Sequence, residues 1–490
     1  MGKSRIKKIA SVQNGYAFSS KLFNRTEGMP LIRIRDIFSI ETDNLYLGEY
    51  KEDFVVNKGD ILIGMDGDFK VSKWPGNKGL LNQLVCRIHF DSAYYEKEFL
   101  FICIQPYLNA IHSETSAVTV KHLSSRTIND IPLPLPPLPE QRAIVAKIEE
   151  LFSDLDKGIA DLKKAQGQLV IFRQAVLKKA FEGELTKEWR EQQTNLQTAE
   201  ELLEQIKEER QKHYEQQIED WKQAVKAWEE NGTEGKKPAK PKKLKEASLL
   251  NKVEENYLSD LPESWLKTNL ESITLAITDG DHQAPPKSES GIPFITISNV
   301  KNNKIDFSNT YFVPETYYSS LIEYRKAKIG DVLYTVTGSF GIPVIVSFEE
   351  KFCFQRHIGL VRPLKLVSSN WLFWLLQTQL IYRQAVKKAT GTAQKTVGLA
   401  SLRSFCTSYC SKEEQHQIVR EIESRLSVCD KVEESITESL EKAKALRQSI
   451  LKKAFEGTLL SVEEIAACKA APDYEPASIL LEKIKAERKK

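Results

Sequence analysis

The sequence lacks an excess of charge of either sign. Its 490 residues carry 70 lysines and arginines against 67 aspartates and glutamates, which leaves a formal net charge of only +3. A binder of nucleic acid usually shows a basic field, so any such field here has to come from local clustering of lysine and arginine. The overall charge therefore does not by itself indicate nucleic acid.

Paired metal-ligating cysteines are also missing. The seven cysteines include no Cys-x-x-Cys pair, and their odd number is typical of reduced thiols rather than of a disulfide framework. Cys406 and Cys410 have no His or Cys set nearby at zinc spacing, so we interpret them as packing residues. No metal site is expected.

Targeting signals and long apolar runs are lacking as well. The N-terminal segment has no apolar core of a signal peptide, and position six is Ile rather than the Ser or Thr of a myristoylation signal. The longest apolar run, Trp371 to Ile381, is too short and too interrupted by glutamine to cross a bilayer. We expect a soluble cytoplasmic protein.

Motifs for catalysis are the last absence. There is no Gly-x-x-x-x-Gly-Lys-Ser/Thr loop to cradle a triphosphate and no Gly-x-Gly-x-x-Gly after a strand. Pro285-Pro286 does not form the Asn/Asp-Pro-Pro-aromatic motif that holds a target base, and Pro472-Asp473 lacks the Glu-x-Lys of a nuclease. We interpret His357, beside Gln355 and Arg356, as a structural histidine. The sequence predicts a binding protein, not an enzyme, with no cofactor of its own.

What the sequence does contain is a pair of repeated segments at constant spacing. The segment 140–145 returns at 414–419, and the segment 172–183 returns at 446–457. Both copies lie 274 residues apart (140 and 414; 172 and 446), so two elements of equal length are kept in step. Gly183 and Gly457 close the copies, where a helix can end in a left-handed cap.

Each repeated element is predicted to be one long helix with an apolar seam. The first seam consists of Ile144, Ile148, Leu151, Leu155, Leu162, Ala165, Leu169, Phe172 and Val176. The second consists of Ile418, Ile422, Leu426, Cys429, Val432, Ile436, Leu440, Ala443, Leu446 and Ile450. This spacing is typical of a coiled coil, and the matched lengths favour packing of the two helices on each other. The alternative is that each stripe packs onto an ordinary domain.

A mixed α/β domain precedes each helix. In the first, strand-like segments at 30–35 and 60–63 are followed by a proline-rich segment, 131–139, that forces an extended, stiff connection to the helix. In the second half, 291–300 resembles 28–37 and 330–333 resembles 59–62, with shared strand apolars and turn glycines but different polar residues. This predicts two related but distinct binding surfaces. The prolines have no counterpart at 406–411, so we expect the second domain to be held less stiffly.

A charged insertion separates the two halves. Its first part, 198–207, is predicted to be helical and is echoed at 476–485. The helical character continues through Trp221 and Trp228 until a lysine–proline run at 236–245. That run is either a solvated linker or a contact to DNA phosphates.

Taken together, these motifs resemble the specificity subunit of type I restriction–modification enzymes. The resemblance is carried by Pro-Leu-Pro-Pro-Leu-Pro-Glu-Gln-Arg-Ala-Ile-Val at 134–145 and Leu-Lys-Lys-Ala-Phe-Glu-Gly-Glu-Leu at 177–185, with second copies at 408–419 and 451–457. It covers essentially the whole chain. It implies an α+β fold: two mixed α/β target-recognition domains joined by two long antiparallel helices that form a coiled coil, with pseudo-twofold symmetry.

The resemblance sets the domain boundaries that we expect. They are 1–137 for the first recognition domain, 138–190 for the first helix, 191–262 for the insertion and linker, 263–409 for the second recognition domain, 410–460 for the second helix and 461–490 for a helical tail.

The resemblance also implies a non-catalytic reader of double-stranded DNA. Each recognition domain would bind one half of an asymmetric bipartite target, and the helices would set the spacer and dock two methyltransferase subunits. S-adenosylmethionine, ATP and Mg would belong to partner subunits, and the assembled complex would be a type I site-specific deoxyribonuclease and adenine methyltransferase. Motor-nuclease subunits would be absent if the system only methylates. A structural coiled-coil scaffold without DNA binding is the alternative from another class.

Candidate contact residues follow from the same resemblance and from side-chain chemistry. The Gly–Thr loop at 390–395 would lie on the DNA side, whereas its counterpart at 116–122 departs from the family pattern. Side chains that can bond base edges or phosphates give the candidate DNA contacts: Gly15, Tyr16, Arg33, Arg35, Lys70, Lys73, Thr119, Lys121, Asn299, Lys301, Ser339, Gln355, Arg356, Thr392, Gln394 and Lys395. The repeated motifs give the candidate subunit-docking residues: Pro137, Pro139, Glu140, Gln141, Phe181, Glu414, Gln415 and Phe455.

Overall fold

The chain divides into two compact units that both include parts of the long helices. The computed structural model describes residues 2–90, 93–115, 121–233, 237–247, 250–258, 261–280, 282, 284–392 and 394–487. The first unit is Met1–Lys163 with Thr437–Lys490, and the second is Lys164–Ile436. The segments 138–190 and 410–460, in which we expect the long helices, are thus each divided between the two units.

The strands of the described residues are short and fall into two similar sets. The first set is β1 (Gly2–Arg5), β2 (Ala10–Asn14), β3 (Phe23–Asn24), β4 (Met29–Ile32), β5 (Leu45–Tyr46), β6 (Val55–Asn57), β7 (Ile61–Gly64), β8 (Val71–Lys73), β9 (Lys78–Leu81), β10 (Val85–Phe90) and β11 (Pro132–Leu135). The second set is β12 (Leu266–Asn269), β13 (Thr274–Asp279), β14 (Ile292–Ile295), β15 (Val300–Lys301), β16 (Lys304–Ile305), β17 (Tyr311–Val313), β18 (Val332–Thr335), β19 (Pro343–Ile345), β20 (Cys353–Phe354), β21 (Ile358–Pro363) and β22 (Cys406–Tyr409).

The helices range from single turns to two very long ones. They are α1 (Ile6–Ile9), α2 (Lys97–Glu114), α3 (Ser125–Asn129), α4 (Leu138–Phe181), α5 (Lys187–Glu191), α6 (Ala199–Glu230), α7 (Lys252–Glu255), α8 (Glu315–Ser320), α9 (Ser369–Leu376), α10 (Gln379–Lys388), α11 (Leu399–Arg403), α12 (Lys412–Glu456), α13 (Val462–Lys469) and α14 (Ala477–Glu487). Short 3-10 turns also occur at Ser20–Leu22, Ile34–Asp36, Glu52–Phe54, Ile297–Asn299 and Glu323–Arg325.

In the first unit, two sheets form the body of the recognition domain. One has the order β2-β10-β7-β8 and is antiparallel throughout. The other has the order β3-β5-β4-β9-β6, in which β4 and β9 run parallel. Strand β7 is buried at all four positions, as its apolar sequence requires for a central strand, and the sheet packs on α2 through residues such as Phe99 and Leu100.

The second unit repeats this topology. Its main sheet has the order β13-β21-β18-β19, and β17-β14-β20 corresponds to β5-β4-β9, again with one parallel pair, β14 with β20. The likeness of 28–37 to 291–300 is thereby confirmed, because these segments form β4 and β14 and the 3-10 turns that follow them. The recognition domains are two copies of one fold.

A two-stranded ladder closes each recognition domain. Strand β1 pairs antiparallel with β11, and β12 pairs with β22 in the same way. The proline-rich segment forms β11, which is extended as predicted and lies at an edge where proline is tolerated. Strand β22 has no proline, yet all four of its residues are buried and paired, so the two joints share one architecture.

Both long helices end in the glycine caps that the sequence predicts. Helix α4 has 44 residues and α12 has 45. Gly183 and Gly457 follow them with φ of +80° and +75°. Beyond each glycine, the backbone N–H of Glu184 donates to Lys179 O and that of Thr458 donates to Lys453 O, both at 2.9 Å. This is the pattern of a Schellman motif, which stops a helix at a defined residue.

The two helices run antiparallel within each unit. In the first unit, Ile144 and Ile148 of α4 share a buried cluster with Ile450 of α12. In the second, Val176 of α4 shares one with Ile422 of α12. In both units the beginning of one helix thus packs with the end of the other, and the apolar seam is largely confirmed.

Three predicted seam residues are exposed instead: Phe172, Val432 and Leu446, with exposed fractions of 49%, 42% and 52%. Charged pairs cross between the helices beside them. In the second unit, Arg173 donates to Asp430 Oδ1 at 2.6 Å, and in the first unit Arg447 donates to Asp156 Oδ2 at 2.9 Å. Arg447 lies 274 residues after Arg173, and Asp156 lies 274 residues before Asp430, so the two ion pairs occupy equivalent positions of the repeat. At these positions ion pairs fix the register of the helices, where the sequence predicts apolar contacts.

A buried glutamine fastens the start of α4. Gln141 is fully buried, its Nε2 donates to Pro136 O at 2.8 Å, and its Oε1 accepts from the backbone N–H of Glu96 at 2.7 Å. Glu96 is the residue that precedes α2, so the glutamine joins the beginnings of two helices and the end of β11. A weaker bond runs to Tyr94 O at 3.2 Å.

The same device fastens the start of α12. Gln415 is fully buried, donates to Cys410 O at 2.9 Å and to Leu366 O at 3.3 Å, and accepts from the N–H of Ser368 at 2.8 Å. Ser368 is the N-cap of α9. The repeated Glu-Gln motif therefore performs one intramolecular task twice.

The second joint has an additional buried carboxylate. Glu414 is 1% exposed and accepts hydrogen bonds from Thr186 Oγ1 at 2.8 Å, Arg190 Nε at 2.9 Å and Trp265 Nε1 at 2.8 Å. Three donors offset the cost of burying the charge. The contacts tie the residues after α4 to the entry of β12 and the start of α12.

Helix α6 docks onto the second unit by its first turns. Leu202 and Ile206 are buried there, as Leu480 and Ile484 of α14 are in the first unit, which confirms the echo between the two segments as a shared packing role. Arg210, 6% exposed, donates to four backbone carbonyls, those of Lys245, Glu271, Ser272 and Thr274. It thereby links α6 to the returning chain and to the recognition domain.

The lysine–proline run is not a freely solvated linker where the structure describes it. Trp221 Nε1 donates to Pro238 O at 2.9 Å, and Lys240 lies over the Trp221 ring at 5.9 Å. Lys237 lies over the Trp228 ring at 5.5 Å. The run returns along α6 because the tryptophans supply apolar surface and π faces for it.

The described residues include all seven cysteines and both long helices. All seven cysteines are buried free thiols, so Cys406 and Cys410 are packing residues as interpreted. Among the described residues, no group of His, Cys, Asp and Glu is arranged to hold a metal ion. Within that part of the chain, no helix is both long and apolar enough to span a bilayer.

The glutamine joints yield a first prediction. Replacing Gln141 or Gln415 with Ala leaves a buried N–H and two buried carbonyls without their partner, so each change should lower the free energy of unfolding by about 2–4 kcal/mol. Gln168→Ala, at an exposed position of α4, should change it by less than about 0.5 kcal/mol. Chemical denaturation followed by circular dichroism measures both. Equal stability of Gln141→Ala and Gln168→Ala would show that the buried amide is not a clamp.

Candidate nucleic-acid interface

A cleft opens at the same place in both units. The first, of about 560 Å³, lies between the 3-10 turn Ile34–Asp36 and the loop from β9 to β10, and its lining residues are Arg33, Ile34, Arg35, Asn82, Gln83 and Leu84. The second, of about 570 Å³, lies beside the turn Ile297–Asn299, and its lining includes Ser298, Lys301, Asn302, Thr337, Gly338, Ser339, His357 and Gln394. Clefts of this size with a few convergent polar groups are typical of binding sites.

The floor of each cleft is a turn held by its own side chains. In the first unit, Asp36 accepts from the backbone N–H of Arg33 at 3.1 Å and from its Nε at 2.7 Å. In the second, Asn299 Oδ1 accepts from the N–H and Oγ1 of Thr296 at 2.9 and 2.8 Å. The polar residues that differ between the halves therefore build the same turn with different chemistry.

Gly15 explains how the end of β2 reaches the first cleft. A Cβ at Gly15 would lie 1.9 Å from Asn82 O, so only glycine permits this approach of the two backbones. Gly280, at the end of β13, would meet Phe354 O at 1.8 Å in the same way. Gly15 is thus a packing requirement of the cleft, while the adjacent Tyr16 is 52% exposed at its edge.

The Gly–Thr loop forms one rim of the second cleft. Thr390 and Thr396 exchange two backbone hydrogen bonds of 2.9 and 2.8 Å, and the N–H of Gly338 donates to Lys395 O at 3.0 Å. Gly391 has φ of +106°, and a Cβ there would lie 2.4 Å from Gln394 O, so the turn requires glycine. The candidate residues Thr392, Gln394 and Lys395 are all exposed on this loop.

The first unit carries a counterpart of this loop. The N–H of Gly67 donates to Lys121 O at 3.1 Å, as that of Gly338 does to Lys395 O, so Lys121 lies at the position that matches Lys395. Lys121 Nζ donates to His112 O at 2.5 Å near the C-terminal end of α2, where a cation is favoured. Lys70 is exposed on the neighbouring turn. Candidate Thr119 lies outside the described residues.

The other candidates of the second unit gather around its cleft. Lys301 and Ser339 line it and are exposed. Gln355 and the exposed Arg356 immediately precede His357, which lines the cleft. Burial, together with the charge of Arg356, lowers the pKa of His357, so its imidazole is neutral at pH 7 and offers both a donor and an acceptor.

Three candidate DNA contacts have other roles in the structure. Asn299 is 4% exposed, and its side chain is bonded to Thr296 and to Asp306 O, so it is a turn cap. Lys73 pairs with Glu98 and lies over the Phe101 ring at 4.7 Å, and burial lowers its pKa. Arg33 is held by Asp36 and Asp43. The sequence shows that these side chains can donate hydrogen bonds, but it does not show that each already has a partner within the chain.

The predicted subunit-docking residues are mostly internal. Pro137, Pro139, Gln141, Phe181, Glu414 and Gln415 are buried within the chain, and Glu140 and Phe455 are half-buried. Phe181 packs on Trp371 with ring centroids 5.5 Å apart. These six buried side chains take part in the helix joints of this chain, and their role in subunit docking stays a prediction.

Sequence reasoning also missed several cleft residues. Asn82, Gln83 and Leu84 follow β9 as Gln355, Arg356 and His357 follow β20, and both triplets lead into the next strand. The second triplet was singled out for its unusual side chains. Residues 82–84 can be found from the sequence because they precede an apolar strand segment, as residues 355–357 do in the second half.

Each main sheet separates the cleft from the helix joint. Strand β10 begins beside the first cleft and ends shortly before Glu96, which bonds Gln141. Strand β21 begins beside the second cleft and ends shortly before Ser368, which bonds Gln415. Six residues of strand span about 20 Å. Within each unit the cleft thus lies at one end of the sheet and the joint at the other.

The side chains at the clefts are of the types that can bond nucleic acid. Guanidinium, ammonium, amide and hydroxyl groups bond base edges and phosphates, and they differ between the two clefts.

Comparison with known proteins agrees with this geometry. Residues 1–164 and 278–442 match the model of the type I restriction modification DNA specificity domain. The chain is 32% identical over 488 residues to the type I restriction enzyme EcoBI specificity subunit of Escherichia coli, covering 98% of this chain and 90% of that protein. It is 25% identical to the EcoKI specificity subunit of Escherichia coli strain K12, covering 78% and 69% of the two chains.

A solved structure shares the fold. It is a chain from work described as the structural basis underlying complex assembly and conformational transition of the type I R-M system, with a TM-score of 0.62, 19% identity, and coverage of 93% of this chain and 98% of that one. The repeated architecture, the paired clefts and these similarities lead to one conclusion: the chain belongs to the family of type I restriction enzyme specificity subunits.

Proposed function

We propose that this chain reads DNA for a type I restriction–modification complex, with one cleft bound to each half of a bipartite target. The observation that carries the proposal is the pair of clefts of nearly equal volume at matching positions of two recognition domains. Their exposed side chains differ: Arg35 in the first stands where Ser298 stands in the second. Unlike donors at like positions read unlike bases, so the target is asymmetric.

In this proposal the chain supplies recognition and no catalytic group. Methyl transfer to a base requires the base to be flipped out of the duplex, and the reader holds the duplex while a methyltransferase partner acts. S-adenosylmethionine, ATP and Mg then belong to partner subunits, and the chain works in the cytoplasm, where the DNA is.

The long helices support a role in setting the spacer between the half-sites. An uninterrupted helix of 44 residues is about 66 Å long. Glycine caps at Gly183 and Gly457 and the pairs Arg173–Asp430 and Arg447–Asp156 fix the length and register of both helices. A fixed strut between two readers restricts binding to half-sites at one separation.

The helices also offer an exposed apolar surface at which we propose that methyltransferase subunits dock. Phe172 and Leu446 are exposed large apolar residues 274 positions apart, one in each unit. Val170 and Ile171 extend the exposed apolar surface beside Phe172, with exposed fractions of 62% and 71%. Lys444 and Ala445 stand at the matching positions of the second helix, so the apolar residue that both copies share is Phe172 or Leu446. One such residue in each unit fits two copies of one methyltransferase subunit.

The Gly–Thr loop provides a direct test of DNA binding. Gln394→Ala and Lys395→Ala should each weaken DNA binding by the assembled complex, and loss of the Lys395 cation should reduce the slope of log affinity against log salt by about 1. Lys328→Ala, in the same unit at the far end of β18, should leave affinity and slope unchanged. Filter binding over a salt series measures both quantities. Unchanged affinity and methylation pattern in both loop variants would remove this loop from the interface.

The spacer role predicts the effect of a paired deletion. Removing seven residues from the middle of both α4 and α12 shortens the helices by about 10 Å, which corresponds to about three base pairs. Methylation mapping should then show the same half-sites with a spacer about three base pairs shorter. A folded variant that methylates the original spacer would show that helix length does not set it.

The docking surface predicts the effect of introducing charge. Phe172→Asp or Leu446→Asp places a carboxylate in an apolar contact and should weaken methyltransferase binding by about tenfold or more. Val462→Asp, at a 79% exposed position of α13, is the matched control. Analytical ultracentrifugation of the chain with its methyltransferase gives the stoichiometry, which should fall from two partners to one in each single variant. Retention of two partners by both variants would place docking elsewhere.

A further inference from the structure

Two arginines on one turn of the first cleft differ in their freedom to bind. Arg33 and Arg35 flank Ile34 at the start of the turn Ile34–Asp36. The Arg33 side chain is 24% exposed and is held by Asp36 on one side and Asp43 on the other. The Arg35 side chain is 66% exposed and forms longer ion pairs, 3.6 Å to Asp43 and 3.9 Å to Asp36, which are weak at an exposed site. One guanidinium is a structural part of the turn and the other is available.

The turn gives Arg35 a fixed origin. Asp36 is 6% exposed and bonds both the backbone N–H and the side chain of Arg33, so the backbone that carries Arg35 is held by a buried carboxylate. On the opposite wall of the cleft, Asn82 Oδ1 accepts from the N–H of Gln83 at 2.8 Å, which fixes that loop as well. A long, flexible side chain thus projects from a rigid base beside a rigid wall, which reduces the entropy lost on binding.

The chemistry of the exposed guanidinium indicates its ligand. A guanidinium presents two parallel N–H donors, and guanine presents two acceptors, N7 and O6, at its major-groove edge. Building on the proposed DNA-reading function, we propose that Arg35 is a specificity-determining residue and reads a guanine in the half-site bound by the first unit.

The second unit lacks this group at the matching position. Ser298 stands there, and its hydroxyl lies 2.7 Å from Thr296 Oγ1 within the turn. A serine hydroxyl bonds several bases without distinguishing guanine by a bidentate contact. The guanine requirement at this position therefore belongs to one half of the target only.

The test uses the full chain assembled with its methyltransferase subunits and a DNA library with both half-sites randomised. Arg35→Gln should remove the guanine preference at one position of one half-site and weaken binding to the preferred target by about 5- to 100-fold. Arg25→Gln, an exposed arginine in the same unit, should leave the preferred sequence unchanged. Arg33→Gln should lower the melting temperature of the chain, because it leaves Asp36 without its cation, instead of changing one base preference.

Modified DNA sharpens the test. Replacing the critical guanine with 7-deazaguanine removes the N7 acceptor, so binding of the unsubstituted chain should fall, whereas Arg35→Gln should not respond to the modified base. Such coupling between one side chain and one base atom identifies a direct contact.

Two outcomes would overturn the assignment. If Arg35→Gln weakened all sequences equally and reduced the salt slope by about 1, Arg35 would be a phosphate contact. If it changed neither preference nor affinity, Arg35 would not touch DNA. Absence of any sequence preference in the unsubstituted complex would instead refute the proposed function, so the two failures are distinguishable.

Discussion

The structure depends on a buried amide at the start of each long helix. Gln141 and Gln415 donate to the carbonyl that ends the preceding strand region and accept the N–H of a residue that begins another helix. An unpaired buried amide is costly, so these bonds form together or not at all. Through them the direction of a helix is tied to the last residues of a recognition domain. A long helix can hold a recognition domain in a fixed orientation only if the joint between them is rigid as well.

The two recognition domains show how one framework carries two surfaces. Strand orders, the parallel pair, the glycines at the ends of β2 and β13 and the loop bonds from Gly67 and Gly338 are common to both. The differences fall on turn residues whose framework role is satisfied in more than one way: Arg33 with Asp36 in one domain and Thr296 with Asn299 in the other. Such positions change the chemistry of a cleft without changing its shape.

The sequence alone predicted the elements that depend on local chemistry. Gly183 and Gly457 require positive φ, the prolines at 132–139 allow only an extended chain, and period-seven apolar residues require a partner helix. It did not predict which polar side chains are already paired. Gln141 and Gln415 are buried and bond residues 45 and 47 positions away, whereas Asn299 is buried in a turn that it caps itself. Phe172, Val432 and Leu446 fit the apolar period but are exposed, and the ion pairs of Arg173 and Arg447 cross between the helices beside them.

The ladders β1–β11 and β12–β22 have an evolutionary consequence. The chain enters and leaves each recognition domain through two paired strands. The residues between these strands therefore form one continuous insert with adjacent ends. Exchange of that insert for one from a relative would change the DNA sequence that is recognised, while the two-stranded ladder and the long helices stay the same. The fold is thus suited to acquiring new targets by wholesale replacement instead of by gradual substitution.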